Sequence, residues 1–202
     1  WVHNGFLTVD SEKMSKSLGN FRTVRQELAK GPGEALRLAM LSTHYRQPID
    51  WNDNVIREAK QTLDRWYGAL RELADVEPAA DAEPTEVLAG LLDDLNTPLA
   101  ISGMHALVNE AYKEKDPAAQ RRIKGALLQA GQVLGVLQQA PDAWFKAGVS
   151  AEEAEIEAKI AARIAAKKAK NFAEADRIRD ELKAAGIILE DRPGGKTEWR
   201  RA

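Results

Sequence analysis

A long amphipathic stretch in the first half of the chain sets its fold class. From residue 54 to about 76, apolar side chains recur at the spacing of one helix face. They are Ile56, Ala59, Leu63, Trp66, Tyr67, Leu70 and Leu73. Further helical patterns follow at about 84–95, 98–115 and 117–138, and short loops separate them. The sequence therefore predicts a mainly α fold built on an antiparallel helix bundle.

The strand-like segments lie at the two ends of the chain. Residues 1–9 combine β-favouring side chains with a turn dipeptide and predict a strand. Residues 186–202 predict two short strands around the Pro-Gly-Gly turn at 193–195. Because we expect no strand between these ends, the first strand has no partner nearby in sequence. We therefore expect the chain to be a fragment of a longer protein.

Helical periodicity is lost over residues 139–150, which carry Pro and Gly, and this predicts a domain boundary. We expect the bundle to occupy residues 32–140. Residues 151–202 then form a small C-terminal α+β module, with helices at 151–170 and 172–185 before its two strands. Such a module is marginal for independent stability at about 50 residues.

Composition excludes several classes of protein. The 202 residues carry a net charge of -2 with a pI near 6.0, so the chain is not a general polyanion binder. It has no cysteine, which excludes disulfides and thiolate metal sites. His3, His44 and His105 have no metal-ligand spacing, so no metal site is expected. Without an apolar run long enough for a membrane span, or a signal segment, we predict a cytoplasmic protein with no membrane partner.

The polar segment SEKMSKSLGN separates the first strand from the first helix. Lys13 and Lys16 are compact cations suited to phosphate oxygens, and the hydroxyls of Ser15 and Ser17 can add hydrogen bonds. Such a loop could stabilise charge that builds on a leaving polyphosphate, and Gly19 would leave it free to close. A solvated loop with two surface lysines is the alternative from the residues alone.

The string KMSKS resembles the signature of class I aminoacyl-tRNA synthetases. In that class the loop binds ATP during amino-acid adenylation. The resemblance implies that Lys16 is the main contact to the ATP phosphates and that Lys13 is its catalytic companion. It gives Ser15 and Ser17 supporting contacts to the same phosphates.

A wider resemblance, to the cysteinyl-tRNA synthetase family, covers the whole chain. It rests on HNGFLTVDSEKMSKSLGNFRTV, EALRLAMLSTHYRQPIDW, DDLNTPLA and GIILEDRPGGKTEWRR, which occur in the family's order. The resemblance implies that residues 1–31 form the catalytic loop and stem-contact segment and that the bundle at 32–140 binds tRNA. It implies an anticodon-binding module at 151–202, with tRNA-Cys as the partner.

In that family, catalysis also needs a nucleotide-binding sheet with a HIGH signature and a zinc bound by cysteine, histidine and glutamate. Both lie upstream of the signature loop, and neither occurs in this chain. We therefore expect the chain to need a missing N-terminal catalytic domain as a partner and to be inactive alone. We expect ATP as its nucleotide, zinc only in that missing domain, and a monomer.

Every charged residue between Ala158 and Ala173 is positive. These residues are Lys159, Arg163, Lys167, Lys168 and Lys170. The run could neutralise a few phosphates and make binding salt-dependent, or it could be a solvated helix face.

The following helix has a better defined pattern. Ala175, Ile178 and Leu182 form its predicted core stripe, whereas Phe172, Asp176 and Arg179 cluster about a quarter-turn away. An aromatic ring, a carboxylate and a guanidinium on one exposed face can stack on a base and bond to its edge. A surface ion pair beside a packed Phe is the alternative.

The family resemblance favours the first interpretation and implies anticodon contacts from Phe172, Asp176, Arg179, Asp191 and Lys167. Two of these depart from the family pattern, in which the aromatic is often Trp and the basic residue at 167 is often Arg. Lys cannot make the planar bidentate contact of Arg.

Two other hypotheses stay open from the sequence. A free-standing RNA-binding or adaptor module would have no use for the signature loop. The related cysteine ligase of mycothiol synthesis shares the loop but would not need residues 151–202.

Overall fold

The computed structural model describes residues 1–15, 17–146, 153–191 and 197–201. The chain divides into two compact units, residues 1–141 and 142–202.

A small sheet opens the first unit. Strand β1 (Leu7–Val9) forms a hairpin with β2 (Glu12–Lys13) through Asp10 and Ser11, whose φ angles of 51° and 66° suit a tight two-residue turn. On its other side β1 pairs in parallel with β3 (Ile49–Trp51), so the order is β2-β1-β3. The prediction that the first strand lacks a nearby partner is therefore wrong. The sequence search missed β3 because three residues are too short to show an alternating pattern.

Among the described residues of the first unit, six helices follow or interrupt this sheet. They are α1 (Val24–Leu28), α2 (Gly33–Leu41), α3 (Asp53–Glu72), α4 (Thr85–Leu92), α5 (Thr97–Lys113) and α6 (Pro117–Leu134). Thr23 caps α1 in a capping box with Gln26, and Asn52 and Asp116 cap α3 and α6.

The core of this unit lies between α3 and its helical neighbours. All seven residues of the predicted α3 stripe are buried, and Trp66, Tyr67 and Leu63 are fully enclosed, which confirms the prediction. Helix α3 packs on α2 and α5, and α5 packs on α4 and α6. A mainly α fold built on a helix bundle is confirmed.

Long-range polar contacts hold this bundle together. The Glu34 carboxylate, on α2, accepts hydrogen bonds from the Tyr67 hydroxyl at 2.9 Å and from the Leu137 amide at 2.8 Å. Burial is the main cause that raises the pKa of the Tyr67 hydroxyl, so this group stays a donor. The start of α2, the middle of α3 and the segment after α6 therefore meet at one carboxylate.

The second unit begins within α7 (Pro141–Lys146) and continues with α8 (Glu153–Lys168) and α9 (Phe172–Ala184). Strands β4 (Ile187–Asp191) and β5 (Thr197–Arg201) then pair as an antiparallel hairpin. The core of the second unit includes Ile156, Ile160, Ile178, Leu182, Ile187 and Trp199. The predicted α+β module is confirmed, while the turn predicted at 193–195 lies outside the described residues.

Within the described part of the chain, none of the helices has the length and apolar character required for a transmembrane segment.

Candidate functional sites

The Lys/Ser loop connects β2 to α1 in the first unit. Lys13 is the last residue of β2, where it pairs with Thr8, and its side chain is exposed. Ser17 is also exposed, and Ser15 is half-buried. Lys16 lies outside the described residues. Among the described loop residues, Lys13 and Ser17 thus expose an ammonium and a hydroxyl to solvent, where a phosphate could reach them.

Two hydrogen bonds from one amide close this loop. Asn20 Oδ1 accepts from the Ser15 backbone N–H at 2.8 Å, and Asn20 Nδ2 donates to the Lys13 carbonyl at 3.2 Å. Inside the loop, Ser15 Oγ accepts from the Leu18 N–H at 3.2 Å and lies 3.2 Å from Ser17 Oγ. The Ser15 hydroxyl therefore helps to shape the turn.

Arg22 fastens the base of the loop. Its guanidinium lies 3.1 Å from an Asp10 carboxylate oxygen, before the loop, and 2.8 Å from Asp53 Oδ1, at the start of α3. Lys30 also reaches Asp53 at 2.8 Å. The hydrogen bonds from Lys30 and then Arg22 hold the pKa of the Asp53 carboxyl below its usual value. Arg22 thus joins the two ends of the loop to each other and to Asp53 in the first turn of α3.

Asp50 anchors the hairpin that leads into the loop. Its Oδ1 accepts from the Ser11 backbone N–H at 2.7 Å and from the Thr8 hydroxyl at 2.8 Å. These bonds, the Ser11 one first, lower the pKa of the Asp50 carboxyl. Sequence reasoning missed Arg22, Asp50 and Asp53, because they have partners up to 42 residues away and no local pattern marks them. It also missed the role of Asn20, whose partners are close in sequence but are backbone groups that no side-chain pattern reveals.

An apolar groove of about 500 Å³ lies beside the loop. Its lining includes Met14 from the loop, Val24 from α1, Met40 from α2 and Trp51 from β3. Val24 is 74% exposed and Met40 is 50% exposed. Met40 of α2 therefore faces this groove.

The second candidate site is the exposed face of α9. Phe172 is 63% exposed, and Arg179 Nη1 lies 3.0 Å from Asp176 Oδ1. Arg179 also donates to Asp180 at 3.1 Å. The surface ion pair that the sequence offered as an alternative to base recognition is therefore present, but the Phe beside it is exposed instead of packed. The predicted core stripe of α9 is buried, which confirms the helix orientation.

The other predicted residues of this site lie on neighbouring elements. Lys167 is exposed in the last turn of α8, and Asn171 caps α9 by accepting from the Glu174 N–H. Asp191 ends β4, and its side chain lies outside the described part of the structure. Lys170, between the two helices, has a φ of 58°.

The basic run before α9 is divided by its contacts. Lys159 lies 2.8 Å from Glu181 and 3.1 Å from Glu155, and Arg163 is 6% exposed. Lys167, Lys168 and Lys170 are exposed. The three exposed lysines of this run therefore lie at the α8–α9 turn, close in sequence to Phe172.

His44 and His105 have structural contacts. His105 Nδ1 lies 3.3 Å from the Trp66 indole nitrogen, which donates to it, and burial lowers the pKa of the imidazole. His44 stacks on Tyr45 with ring centroids 4.9 Å apart. Across the described ranges, histidine, aspartate and glutamate form no cluster of three or more that could hold a metal ion.

Three family models match successive segments of the chain. The model described as tRNA synthetases class I (C) catalytic domain matches residues 1–61, the DALR domain matches 86–138, and the cysteinyl-tRNA ligase anticodon binding domain matches 151–200. Together with the signature loop, these matches define a class I aminoacyl-tRNA synthetase sequence.

Curated relatives narrow the class. The chain is 55% identical to a cysteine–tRNA ligase of Paramagnetospirillum magneticum, 57% to one of Rhodospirillum centenum and 53% to one of Xanthomonas campestris. Each match covers 100% of the chain and 44–45% of the relative. The chain belongs to the cysteine–tRNA ligase family and spans less than half the length of these relatives.

Proposed function

We propose that the chain is the ATP-loop and tRNA-binding part of a cysteine–tRNA ligase. The complete enzyme joins the carboxylate of cysteine to the α-phosphorus of ATP, releases pyrophosphate, and transfers the cysteinyl group to the terminal ribose of tRNA-Cys. The exposed aromatic, acidic and basic side chains of α9 are the observation that carries the tRNA part of this proposal.

In the first step, negative charge builds on the leaving pyrophosphate. Lys13 and Lys16 stabilise this charge, and they contribute most when the bond to the α-phosphorus is breaking. Ser17 donates a hydrogen bond to the same phosphates, with Ser15 in support through the turn it shapes. ATP is the substrate of this step, and the adenylating domain and its zinc belong to the rest of the enzyme.

The α9 face suits the edge of a base better than a phosphate. Arg179 lies beside the carboxylates of Asp176 and Asp180, so a phosphate there would meet two negative charges. A base offers both donors and acceptors for such a mixed face, and it can stack on Phe172. We propose Phe172, Asp176 and Arg179 as anticodon contacts.

Lys167 and Asp191 complete the proposed anticodon site. We assign Lys167 to a backbone phosphate, because a single ammonium carries little base specificity. The side chain of Asp191, at the end of β4, is assigned to the anticodon through the family resemblance alone.

The apolar groove beside the loop is the proposed contact for the remaining part of the enzyme. Exposed apolar side chains around a groove of this size mark an interaction surface. We propose further that the enzyme acts in the cytoplasm as a monomer. In this proposal residues 1–31 form the loop segment, residues 32–140 form the tRNA-binding bundle, and residues 151–202 form the anticodon module. The chain alone does not adenylate cysteine under this proposal.

The test is binding of the chain to a tRNA-Cys transcript and to the same transcript with an altered anticodon, across a salt series. Arg179→Ala should remove about 1–3 kcal/mol of discrimination between the two transcripts and leave the salt dependence unchanged. Arg177→Ala is the matched control, because Arg177 is exposed on the same helix and pairs with Glu174.

The control variant should keep the discrimination of the parent chain. Equal binding of both transcripts by the parent chain would reject the anticodon assignment. In that case the C-terminal module binds RNA nonspecifically, and the exposed lysines of the α8–α9 turn account for the salt dependence of binding.

A further inference from the structure

The amide of Asn20 bridges the two ends of the Lys/Ser loop. It accepts from the Ser15 N–H with one atom and donates to the Lys13 carbonyl with the other. Both polar atoms of the side chain are thereby used within the loop. Asn20 is half-buried, so the two bonds are partly shielded from water.

The chain returns to this position by a turn that needs glycine. Gly19 has a φ of 68°, a left-handed conformation that other residues adopt at a cost, and Ser15 Oγ holds the Leu18 N–H. The described residues 13–15 and 17–20 therefore belong to a loop that leaves β2 at Lys13 and returns to it at Asn20. Its two ends are joined by a single side chain.

We propose that Asn20 is a positioning residue for nucleotide activation. It fixes the backbone on both sides of Met14, and so sets the direction from which Lys13 approaches the triphosphate. This inference rests on the proposed function. We assign Asn20 no contact with the nucleotide, because its amide oxygen and nitrogen each bond to the backbone of the loop.

The geometry predicts how substitutions should rank. Asn20→Leu keeps the size of the side chain and loses both bonds. Asn20→Asp keeps the acceptor for the Ser15 N–H and loses the donor to the Lys13 carbonyl. Because a displacement of about 1 Å in a catalytic group can cost about 100-fold in rate, the loss of both bonds should be the more severe change.

The first measurement is ATP–pyrophosphate exchange by the complete cysteine–tRNA ligase that carries this chain. We expect Asn20→Leu to lower kcat by about 10- to 100-fold with an unchanged KM for cysteine. Asn20→Asp should retain more activity than Asn20→Leu. Asn109→Leu is the matched control, because Asn109 lies on α5 and bonds to Arg65.

The second measurement is amide hydrogen exchange in the 202-residue chain, which needs no activity. The Ser15 amide should exchange about 10-fold faster in Asn20→Leu and remain unchanged in Asn109→Leu. An unchanged hydrogen-exchange rate at the Ser15 amide in Asn20→Leu would show that the two Asn20 bonds do not hold the loop. Faster exchange with an unchanged kcat overturns the positioning role.

A Lys13→Ala variant separates this inference from the proposed function. If Lys13→Ala abolishes ATP–pyrophosphate exchange while Asn20→Leu retains it, the inference fails and the proposed function stands. If neither variant changes the activity, both fail.

Discussion

The ammonium of Lys124 provides a quantitative test of how the first unit is held together. Lys124 lies on α6, and its Nζ is 2.8 Å from the Leu73 carbonyl oxygen, 3.1 Å from that of Ala74 and 2.7 Å from that of Val76. Helix α3 ends at Glu72, so these carbonyls follow directly on its C-terminus. A cation is favourable at this end of a helix.

Lys124→Met removes the charge and keeps a long, flexible apolar side chain. Hydrogen bonds to a charged donor contribute roughly 1.5–3 kcal/mol each, whereas fixing a lysine side chain costs up to about 2 kcal/mol. With the low end taken for each of the three bonds, the variant should lose about 2.5 kcal/mol of unfolding free energy. Met and Lys have similar helix propensities, so propensity adds little to this difference.

Urea denaturation followed by circular dichroism measures this loss as a lower midpoint with an unchanged slope. The control is Lys115→Met, because Lys115 is exposed at the α5–α6 connection, and its change should stay within about 0.5 kcal/mol. Most of the loss in Lys124→Met should persist at about 1 M salt, since short hydrogen bonds are screened less than distant charges. A loss no larger than that of the control, or one that disappears in salt, would refute the reasoning.

Two further outcomes are expected. Arg46 and then Tyr45, through hydrogen bonds, lower the pKa of the Asp94 carboxyl to about 2, so its stabilising contribution is complete above about pH 4 and is lost as the pH falls through 2. The melting temperature of Asp94→Asn should therefore lie below that of the parent at neutral pH and converge with it near pH 2, and an equal gap at both pH values would contradict this. Gly125→Ala should destabilise the first unit by about 1–3 kcal/mol in the same urea assay. The new Cβ would press on the Ala79 carbonyl oxygen and lie 2.8 Å from Ala82 Cβ. A urea midpoint equal to that of the parent would show that this contact relaxes freely.

Periodicity predicted the helices well and their ends less well. The α3 stripe is visible in the sequence because seven apolar residues keep the helical spacing, and all of them are buried. Helix α6, in contrast, ends at Leu134 instead of near residue 138. Gly135 ends it in a left-handed conformation with a φ of 69°. Leu137 is buried although it lies in the connection after the helix, so its apolar character extended the predicted helix too far.

The candidate sites differ in how far the sequence could define them. On α9, helical spacing alone brings Phe172, Asp176 and Arg179 to one face, and only the exposure of Phe172 had to come from the structure. In the Lys/Ser loop, the sequence identified the lysines and serines but not what holds them. That information lies in contacts between residues that are distant in the chain, such as Ser11 with Asp50.

These two kinds of site imply different tolerances to change. The α9 face is carried by a single helix with its own cap and core stripe, so its geometry depends on about fifteen consecutive residues. The loop depends on β3 and the first turn of α3, because Asp50 and Asp53 tie down its hairpin and its base. The segment that must remain intact for the loop therefore extends from β1 to the start of α3. This segment lies within the first matched family model, residues 1–61. The physical reach of the loop contacts thus explains why a five-residue signature belongs to a much longer structural unit.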